Sequence, residues 1–150
     1  MKQDIYLIVG TPGSGKTWCM KQLEKGFDVC HHDNEPLQGG FKGWGGEDGY
    51  VKEIAKRAST GSKPVLADTP FSLSKLKEPL EKQGFTVKPV FIIESPEVTS
   101  KRYYNREKRL IPQGHLTRIE TYKARARELG AKTGTSEQIL DYLRAESEQT

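Results

Sequence analysis

The stretch that decides the fold is GTPGSGKT, residues 10–17 of this 150-residue chain. It follows an apolar run at residues 5–9 and precedes a predicted helix that carries Trp18, Met20 and Leu23. Every fixed position of the GxxxxGKS/T pattern is present, and its glycines let consecutive backbone N–H groups curl around a phosphate. The following helix adds the positive end of its dipole. The stretch therefore predicts a phosphate-binding loop between a strand and a helix.

Two side chains at the end of this loop contribute charge and a metal ligand. Lys16 is expected to neutralise oxygens of the β- and γ-phosphates, and the Thr17 hydroxyl is expected to ligate Mg²⁺. ATP and Mg²⁺ are therefore the predicted cofactors. The residues of this stretch predicted to bind the nucleotide are Gly10, Thr11, Pro12, Gly13, Ser14, Gly15, Lys16 and Thr17.

Apolar runs along the rest of the chain alternate with amphipathic stretches. The runs at residues 5–9, 27–30, 63–67 and 87–93 are strand candidates, and segments with helical spacing lie between them. Strands that alternate with helices indicate a parallel sheet covered on both faces. The predicted fold class is α/β, with a five-stranded parallel sheet flanked by helices, as one domain over residues 1–150.

Composition and charge narrow the class of protein. No apolar run approaches the length needed to cross a membrane, so no membrane partner is expected. Cys19 and Cys30 are too few and too isolated for a disulfide framework, which predicts a cytoplasmic location. The 24 Lys and Arg residues outnumber the 20 Asp and Glu residues, and the net charge of +4 suits a polyanionic partner such as ATP or nucleic acid.

Two aspartates follow predicted strands, where parallel sheets bind their ligands. Asp33 comes after the second strand and Asp68 after the third. A phosphoryl transferase needs one carboxylate to accept the proton of the acceptor hydroxyl and another group to hold Mg²⁺. We predict Asp33 as the general base and Asp68 as the residue that serves the metal or orients the acceptor. The alternative is that each aspartate only caps a turn.

A basic segment follows the fourth predicted strand. Arg102, Arg106 and Arg109 are spaced by four and three residues, so they share one face of a helix. Guanidinium groups can stabilise the charge that spreads over a transferring phosphoryl group. We therefore predict a short basic lid at about residues 101–114, in which Arg102 and Arg106 are catalytic. The alternative is a solvated basic face.

Together these residues resemble the small P-loop kinases typified by phage polynucleotide kinase, with zeta-toxin-like kinases nearby. The resemblance covers most of the chain and rests on residues 10–17, Asp33, residues 65–69, and Arg102 with Arg106. It implies a P-loop NTPase-type fold, Asp33 as the general base, and lid arginines that clamp the phosphates. It also implies that the loop at residues 133–136 helps to hold the adenine. The residues that it adds to the nucleotide site are Arg102, Thr133, Thr135 and Ser136.

The sequence departs from that family where the acceptor would bind. Polynucleotide kinases place an arginine shortly after the catalytic aspartate, whereas Asp33 is followed here by Asn34, Glu35 and Pro36. The next segment, residues 39–49, is rich in glycine and contains Trp44, which we predict to stack on an acceptor base. The alternative is an ordinary flexible connector. The predicted acceptor-binding residues are Asp33, Trp44 and Asp68.

The predicted function is transfer of the γ-phosphoryl group of ATP to a hydroxyl of a nucleic acid. The acceptor would be a 5′-hydroxyl end or a hydroxymethylated pyrimidine base in DNA. One alternative is a small-metabolite or nucleotide kinase, since fold and loop do not determine the acceptor. An alternative of another class is an ATP-binding switch that hydrolyses ATP slowly.

Overall fold

We describe a computed structural model of the chain over residues 2–31, 46–69 and 72–149. The candidates Asp33 and Trp44 lie outside these residues, so their predicted roles remain predictions. All the other predicted site residues fall within the described ranges.

Five parallel strands form one sheet, as predicted. In chain order they are β1 (Ile5–Val9), β2 (Asp28–Cys30), β3 (Val65–Asp68), β4 (Val87–Ile92) and β5 (Lys132–Gly134). Their order across the sheet is β2-β3-β1-β4-β5, and every pair of neighbours is parallel. Because β1 is the central strand, the loop that follows it emerges at the middle of the sheet's carboxyl edge.

Helices cover both faces of this sheet. They are α1 (Lys16–Lys21), α2 (Gly46–Thr60), α3 (Leu73–Lys82), α4 (Pro96–Glu107), α5 (Gln113–Leu129) and α6 (Ser136–Glu148). None of the helices in the described ranges is long and apolar enough to span a bilayer.

The apolar core is divided by the sheet, since alternate residues of β1 point to opposite faces. Ile5, Leu7 and Val9 pack in one cluster with buried side chains of α2, α3 and α5. Tyr6 and Ile8 pack in the other cluster with buried side chains of α1 and α6. All five residues of β1 are buried, which explains why this strand appears in the sequence as an uninterrupted apolar run.

Two of the helices begin with side-chain caps. The Ser95 hydroxyl accepts a hydrogen bond from the Val98 amide at 3.2 Å and caps α4, where Pro96 is the first helical residue. Thr135 and Gln138 form a reciprocal capping box at the start of α6. The end of α4 is less favourable, because Lys108 has a φ of 59°. In the described ranges it is the only non-glycine residue with a positive φ.

We expect Lys108→Gly to stabilise the protein. A side chain in the left-handed region costs about 1–2 kcal/mol, and replacement by glycine removes this strain. Part of the gain in stability is lost because glycine has more conformational freedom in the unfolded chain. The free energy of unfolding should therefore rise by about 0.5–1 kcal/mol, as measured by urea denaturation. The matched control is Lys101→Gly, which places glycine inside α4 and should destabilise by about 1 kcal/mol. Equal destabilisation by both changes would show that Lys108 is not strained.

Candidate active site

The loop between β1 and α1 packs closely against Thr99 and Ser136. Gly13 and Gly15 have φ values of 85° and 92°, which disfavour any side chain. A Cβ on Gly13 would lie 2.6 Å from the Thr99 carbonyl oxygen, and one on Gly15 would lie 2.9 Å from the Ser136 Cβ. Only glycine fits at either position, so these residues serve the shape of the loop.

The loop is the floor of a cavity of about 420 Å³ at the carboxyl edge of the sheet. Side chains from β3 and α4 complete its walls. The residues that line it are Gly10, Thr11, Pro12, Gly13, Gly15, Lys16, Thr17, Trp18, Asp68, Arg102 and Arg106. The structure thus brings together most of the loop residues, the aspartate and the two arginines that the sequence predicts.

Lys16 and Asp68 meet inside this cavity. The Lys16 Nζ lies 2.6 Å from the Asp68 Oδ1, and the two side chains are largely shielded from solvent. Asp68 ends β3, which pairs directly with β1, so the sheet itself places the carboxylate opposite the loop. The turn-cap alternative for Asp68 does not describe this contact.

The donors in the cavity suit Mg²⁺ with a nucleotide. The Thr17 hydroxyl and the Asp68 carboxylate are hard oxygen ligands, and Mg²⁺ usually takes only one or two protein groups in addition to phosphate and water. The Ser14 hydroxyl oxygen is buried with no hydrogen-bond partner in the described part of the chain, as expected of a donor kept for an anion. Within the same residues no group of three or more His, Cys, Asp or Glu side chains could hold a metal by itself.

Tyr50 of α2 holds the ends of two strands at the site. Its hydroxyl donates to the Asp68 carbonyl oxygen at 2.7 Å and to the Cys30 carbonyl oxygen at 3.3 Å. Burial, with the nearby Cys30 and Asp68, raises the pKa of Tyr50, so the phenol keeps the proton that it donates. Tyr50 therefore fixes the backbone from which Asp68 projects.

Glu94, two residues beyond β4, positions Arg102. The carboxylate is buried, and its Oε2 accepts hydrogen bonds from Arg102 Nη1 at 3.1 Å and from Ser136 Oγ and N at 3.1 and 3.3 Å. Arg102 Nη1 also donates to the Ser14 carbonyl oxygen at 3.0 Å. One carboxylate thus connects the arginine, the phosphate loop and the start of α6. The rule that selected Asp68, an acid just past a buried strand, would also have selected Glu94.

We expect Glu94→Ala to lower both stability and turnover. Loss of the carboxylate leaves buried donors without an acceptor, which costs about 1–3 kcal/mol in the free energy of unfolding. Turnover should fall because Arg102 loses its anchor. If Glu94 acts through Arg102, adding Glu94→Ala to Arg102→Ala should reduce turnover little further. Glu97→Ala, on the exposed first turn of α4, is the control. Fully additive losses in the double variant would separate Glu94 from Arg102.

The other lid arginines lie in different surroundings. Arg106 lines the cavity, whereas Arg109 does not. The guanidinium carbons of both lie over the Tyr103 ring, 5.7 and 5.9 Å from its centroid, and Tyr103 packs edge-on against His115 of α5. The predicted lid segment comprises the second half of α4, an irregular connection and the start of α5.

A smaller recess of about 330 Å³ adjoins the phosphate cavity and shares Gly15, Trp18 and Arg102 with it. Ser136 and Glu137 complete its described lining. This recess is where Ser136, one of the residues predicted to hold adenine, lies. Trp18, 45% exposed at its mouth, was counted in the sequence only as a helix residue. The sequence signal for its position beside this recess was a tryptophan directly after the loop lysine and threonine.

Thr133 and Thr135 lie elsewhere. They line a separate depression with Lys123, Arg127 and Gln138 among others, and Thr135 is also the cap of α6. Their predicted contact with adenine is a prediction that the structure does not test.

No protein-family model and no curated protein matches the sequence. Solved structures do match the fold. The tunicamycin resistance protein of Deinococcus radiodurans is 15% identical, with a TM-score of 0.64 over 97% of this chain and 95% of that one. Shikimate kinase from Acinetobacter baumannii, in complex with shikimate, is 16% identical, with a TM-score of 0.57 over the same shares of the two chains.

A gluconokinase from Sinorhizobium meliloti is 20% identical, with a TM-score of 0.50 over 80% of this chain and 74% of that one. The sheet has five parallel strands, and the glycine loop that lines the phosphate cavity follows its central strand. This is the arrangement that the sequence predicts for a phosphate-binding loop. The chain has the P-loop NTPase fold. These similarities are too low in identity to carry an activity from one chain to the other. Polynucleotide kinase is not among these three structures, and none of them is named for a nucleic acid substrate.

Proposed function

We propose that the protein is an ATP-dependent kinase that transfers the γ-phosphoryl group to an acceptor hydroxyl. The observation that carries this proposal is the content of the phosphate cavity. Lys16, Asp68 and two arginines of α4 line one space with the glycine loop. A nucleotide switch needs the loop, whereas phosphoryl transfer also requires cationic donors beside the transferring group.

Each residue of the cavity would have a distinct part in binding MgATP. The loop amides and Lys16 would hold the β- and γ-phosphates, while Thr17 and Asp68 would hold Mg²⁺ directly or through water. Arg102 and Arg106 would contact the equatorial oxygens of the transferring group. Trp18 and Ser136 would lie against the nucleoside, since their recess continues from the phosphate cavity.

In the proposed reaction the acceptor oxygen forms a bond to the γ-phosphorus as the bond from that phosphorus to the β,γ-bridging oxygen breaks. ADP leaves with the electrons of the broken bond. The hydroxyl proton passes to a carboxylate, for which Asp33 remains the predicted base.

For the acceptor we favour a small hydroxylated metabolite over a nucleic acid. Two of the structural neighbours are named as shikimate kinase and gluconokinase, which act on small molecules. This choice reverses the order of the two acceptors that the sequence suggested. The cytoplasm is the compartment that we propose, because such a kinase draws on cytoplasmic ATP.

A nucleic acid acceptor is the second candidate, and one observation favours it. The predicted lid carries the exposed basic side chains Arg106, Lys108 and Arg109, and Arg106 lines the phosphate cavity. Such a row could follow a phosphate backbone. Binding to DNA would then weaken as salt rises, and each phosphate contact would contribute about 0.7 to 0.9 to the salt slope.

The deciding experiment is transfer of radiolabel from γ-labelled ATP to a panel of acceptors. The panel contains sugar acids and other polyols, nucleosides, DNA with free 5′-hydroxyl ends, and DNA that contains hydroxymethyluracil. Labelling of small alcohols above DNA supports the metabolite kinase, and the reverse supports the nucleic acid kinase. Phosphate release without any labelled acceptor, at a rate that no acceptor changes, would favour the switch.

A further inference from the structure

A second cavity, of about 390 Å³, lies at the carboxyl edge of the sheet on the face covered by α3 and α5. We call it the side cavity. Its described lining comes from β1, β4, the start of α3 and the middle of α5. The residues are Val9, Thr69, Ser72, Leu73, Ser74, Phe91, Arg118, Thr121, Tyr122 and Arg125. Within the described ranges, none of the residues predicted to bind the nucleotide or the acceptor lines this cavity.

The side cavity adjoins the phosphate cavity through the chain itself. Val9 and Thr69 line the side cavity, whereas their chain neighbours Gly10 and Asp68 line the phosphate cavity. Because each pair is joined by one peptide bond, the two spaces lie on either side of the same strand ends. A molecule in the side cavity is therefore next to the groups that would hold the γ-phosphate.

The charged side chains in the described lining of the side cavity are all positive. Arg118 and Arg125 line it, and no carboxylate lines it among the described residues. Arg125 donates to the Ser74 hydroxyl at 3.1 Å and reaches Glu128 at 3.3 Å, outside the lining. Arg118 makes no ion pair with any residue in the described ranges. Burial, together with Arg118 and Arg109, lowers the pKa of His115 on the same helix.

Hydroxyl groups line the rest of the polar wall. Thr69, Ser72, Ser74 and Thr121 present alcohols, and Tyr122 a phenol. The Thr69 hydroxyl oxygen is buried, and the described part of the chain offers it no hydrogen-bond partner. A buried hydroxyl left without a partner is uncommon in proteins and indicates a missing ligand or water. The apolar side chains of Val9, Leu73 and Phe91 form the floor.

We propose that the side cavity is the acceptor site and that the acceptor carries an anionic group, a carboxylate or a phosphate, bound between Arg118 and Arg125. This inference rests on the proposed kinase function and names the class of its substrate. The hydroxyls of the wall hold the polar body of the acceptor, and the anion fixes which of its hydroxyls faces the phosphate cavity. Guanidinium groups suit either anion, because they can donate two parallel hydrogen bonds.

The test compares matched probes that differ only in the anion. Glycerol, glycerate and glycerol 3-phosphate share a small alcohol body, so their binding to the ADP·Mg²⁺-loaded protein isolates the anionic group. Binding is followed by calorimetry in the parent protein and in Arg118→Gln, Arg125→Gln and Lys52→Gln. Lys52 lies on the exposed side of α2 and lines neither cavity, so its variant controls for net charge.

We expect the two anionic probes to bind more tightly than glycerol, and each arginine variant to weaken them about 10- to 100-fold, the loss typical of a hydrogen bond to a charged group. The Lys52→Gln variant should bind all three probes as the parent does. The affinity for glycerol should be the same in every variant. Equal binding of all three probes, or equal binding of the anionic probes to the parent and both arginine variants, would overturn the proposal.

Label transfer from ATP to the same probes separates this proposal from the kinase assignment. Binding of the anionic probes that depends on both arginines, without label on any alcohol, would sustain the anion site and reject the kinase. Labelling of glycerol and glycerate at the same rate would sustain the kinase and reject the anion site. A short DNA that displaces glycerate only when both arginines are present would identify a backbone phosphate as the source of the anion.

Discussion

Lys16→Ala is expected to remove phosphoryl transfer almost completely while the fold persists. The amine lies in the phosphate cavity, where it would meet the β- and γ-phosphate oxygens. In the described lining the other cationic side chains are Arg102 and Arg106, and they come from α4 on another wall. Removal of one preorganised donor to a transferring group costs about 10²–10³-fold in rate, and lysine also neutralises charge, so the loss should reach at least that range.

The measurement is turnover of any acceptor found in the panel, together with nucleotide affinity. In a Trp44→Phe background Trp18 is the remaining tryptophan, and its fluorescence should report nucleotide in the adjoining recess. Lys21→Ala removes a lysine from the other end of α1 and is the matched control. A Lys16→Ala protein with a native unfolding curve and near-parental turnover would disprove the role of the loop.

The second large effect concerns the two aspartates. Asp33→Asn should lower turnover by about 10²–10⁴-fold, because an amide cannot accept the hydroxyl proton, and should leave nucleotide affinity nearly unchanged. Asp68→Asn should instead raise the Mg²⁺ concentration needed for half-maximal turnover, since the carboxylate is the harder metal ligand. Part of its lost activity should return as Mg²⁺ is increased.

Turnover measured over a range of Mg²⁺ concentrations distinguishes these roles. Asp141→Asn, an exposed carboxylate on α6, is the control for loss of charge. If Mg²⁺ rescues Asp33→Asn but not Asp68→Asn, the two assignments must be exchanged.

The architecture could be predicted because local and long-range signals agree. The apolar run of β1, the glycine loop and the helix after it occupy the only order in which the loop motif works, and alternating elements then require a parallel sheet. Capping at Ser95 and Thr135 was also visible, since it depends on residues three positions apart. Strand ends were less certain: β3 was predicted at residues 63–67 and is Val65–Asp68, because pairing with β1 sets its limits.

Contacts between distant segments could not be predicted from the sequence. Glu94 and Ser136 are 42 positions apart, and nothing in either neighbourhood indicates that one carboxylate would join them to Arg102. Arg118 and Arg125 look in the sequence like solvated positions of a basic helix. The common role that we propose for them depends on the position of α5, which brings both arginines to one cavity with Val9 and Phe91. Spacing along a chain reveals which residues share a helix face, but not what that face meets.

The ion pair between Lys16 and Asp68 joins the two side chains that we expect to bind the phosphates and Mg²⁺. The Lys16 Nζ lies 2.6 Å from the Asp68 Oδ1. A phosphate that binds Lys16 would have to displace this carboxylate. A free phosphate ion carries no cation that could replace Lys16 beside Asp68. A nucleotide that binds with Mg²⁺ would supply such a cation. With the roles proposed for Lys16 and Asp68, the pair would favour binding of a nucleotide with Mg²⁺ over binding of a phosphate without metal.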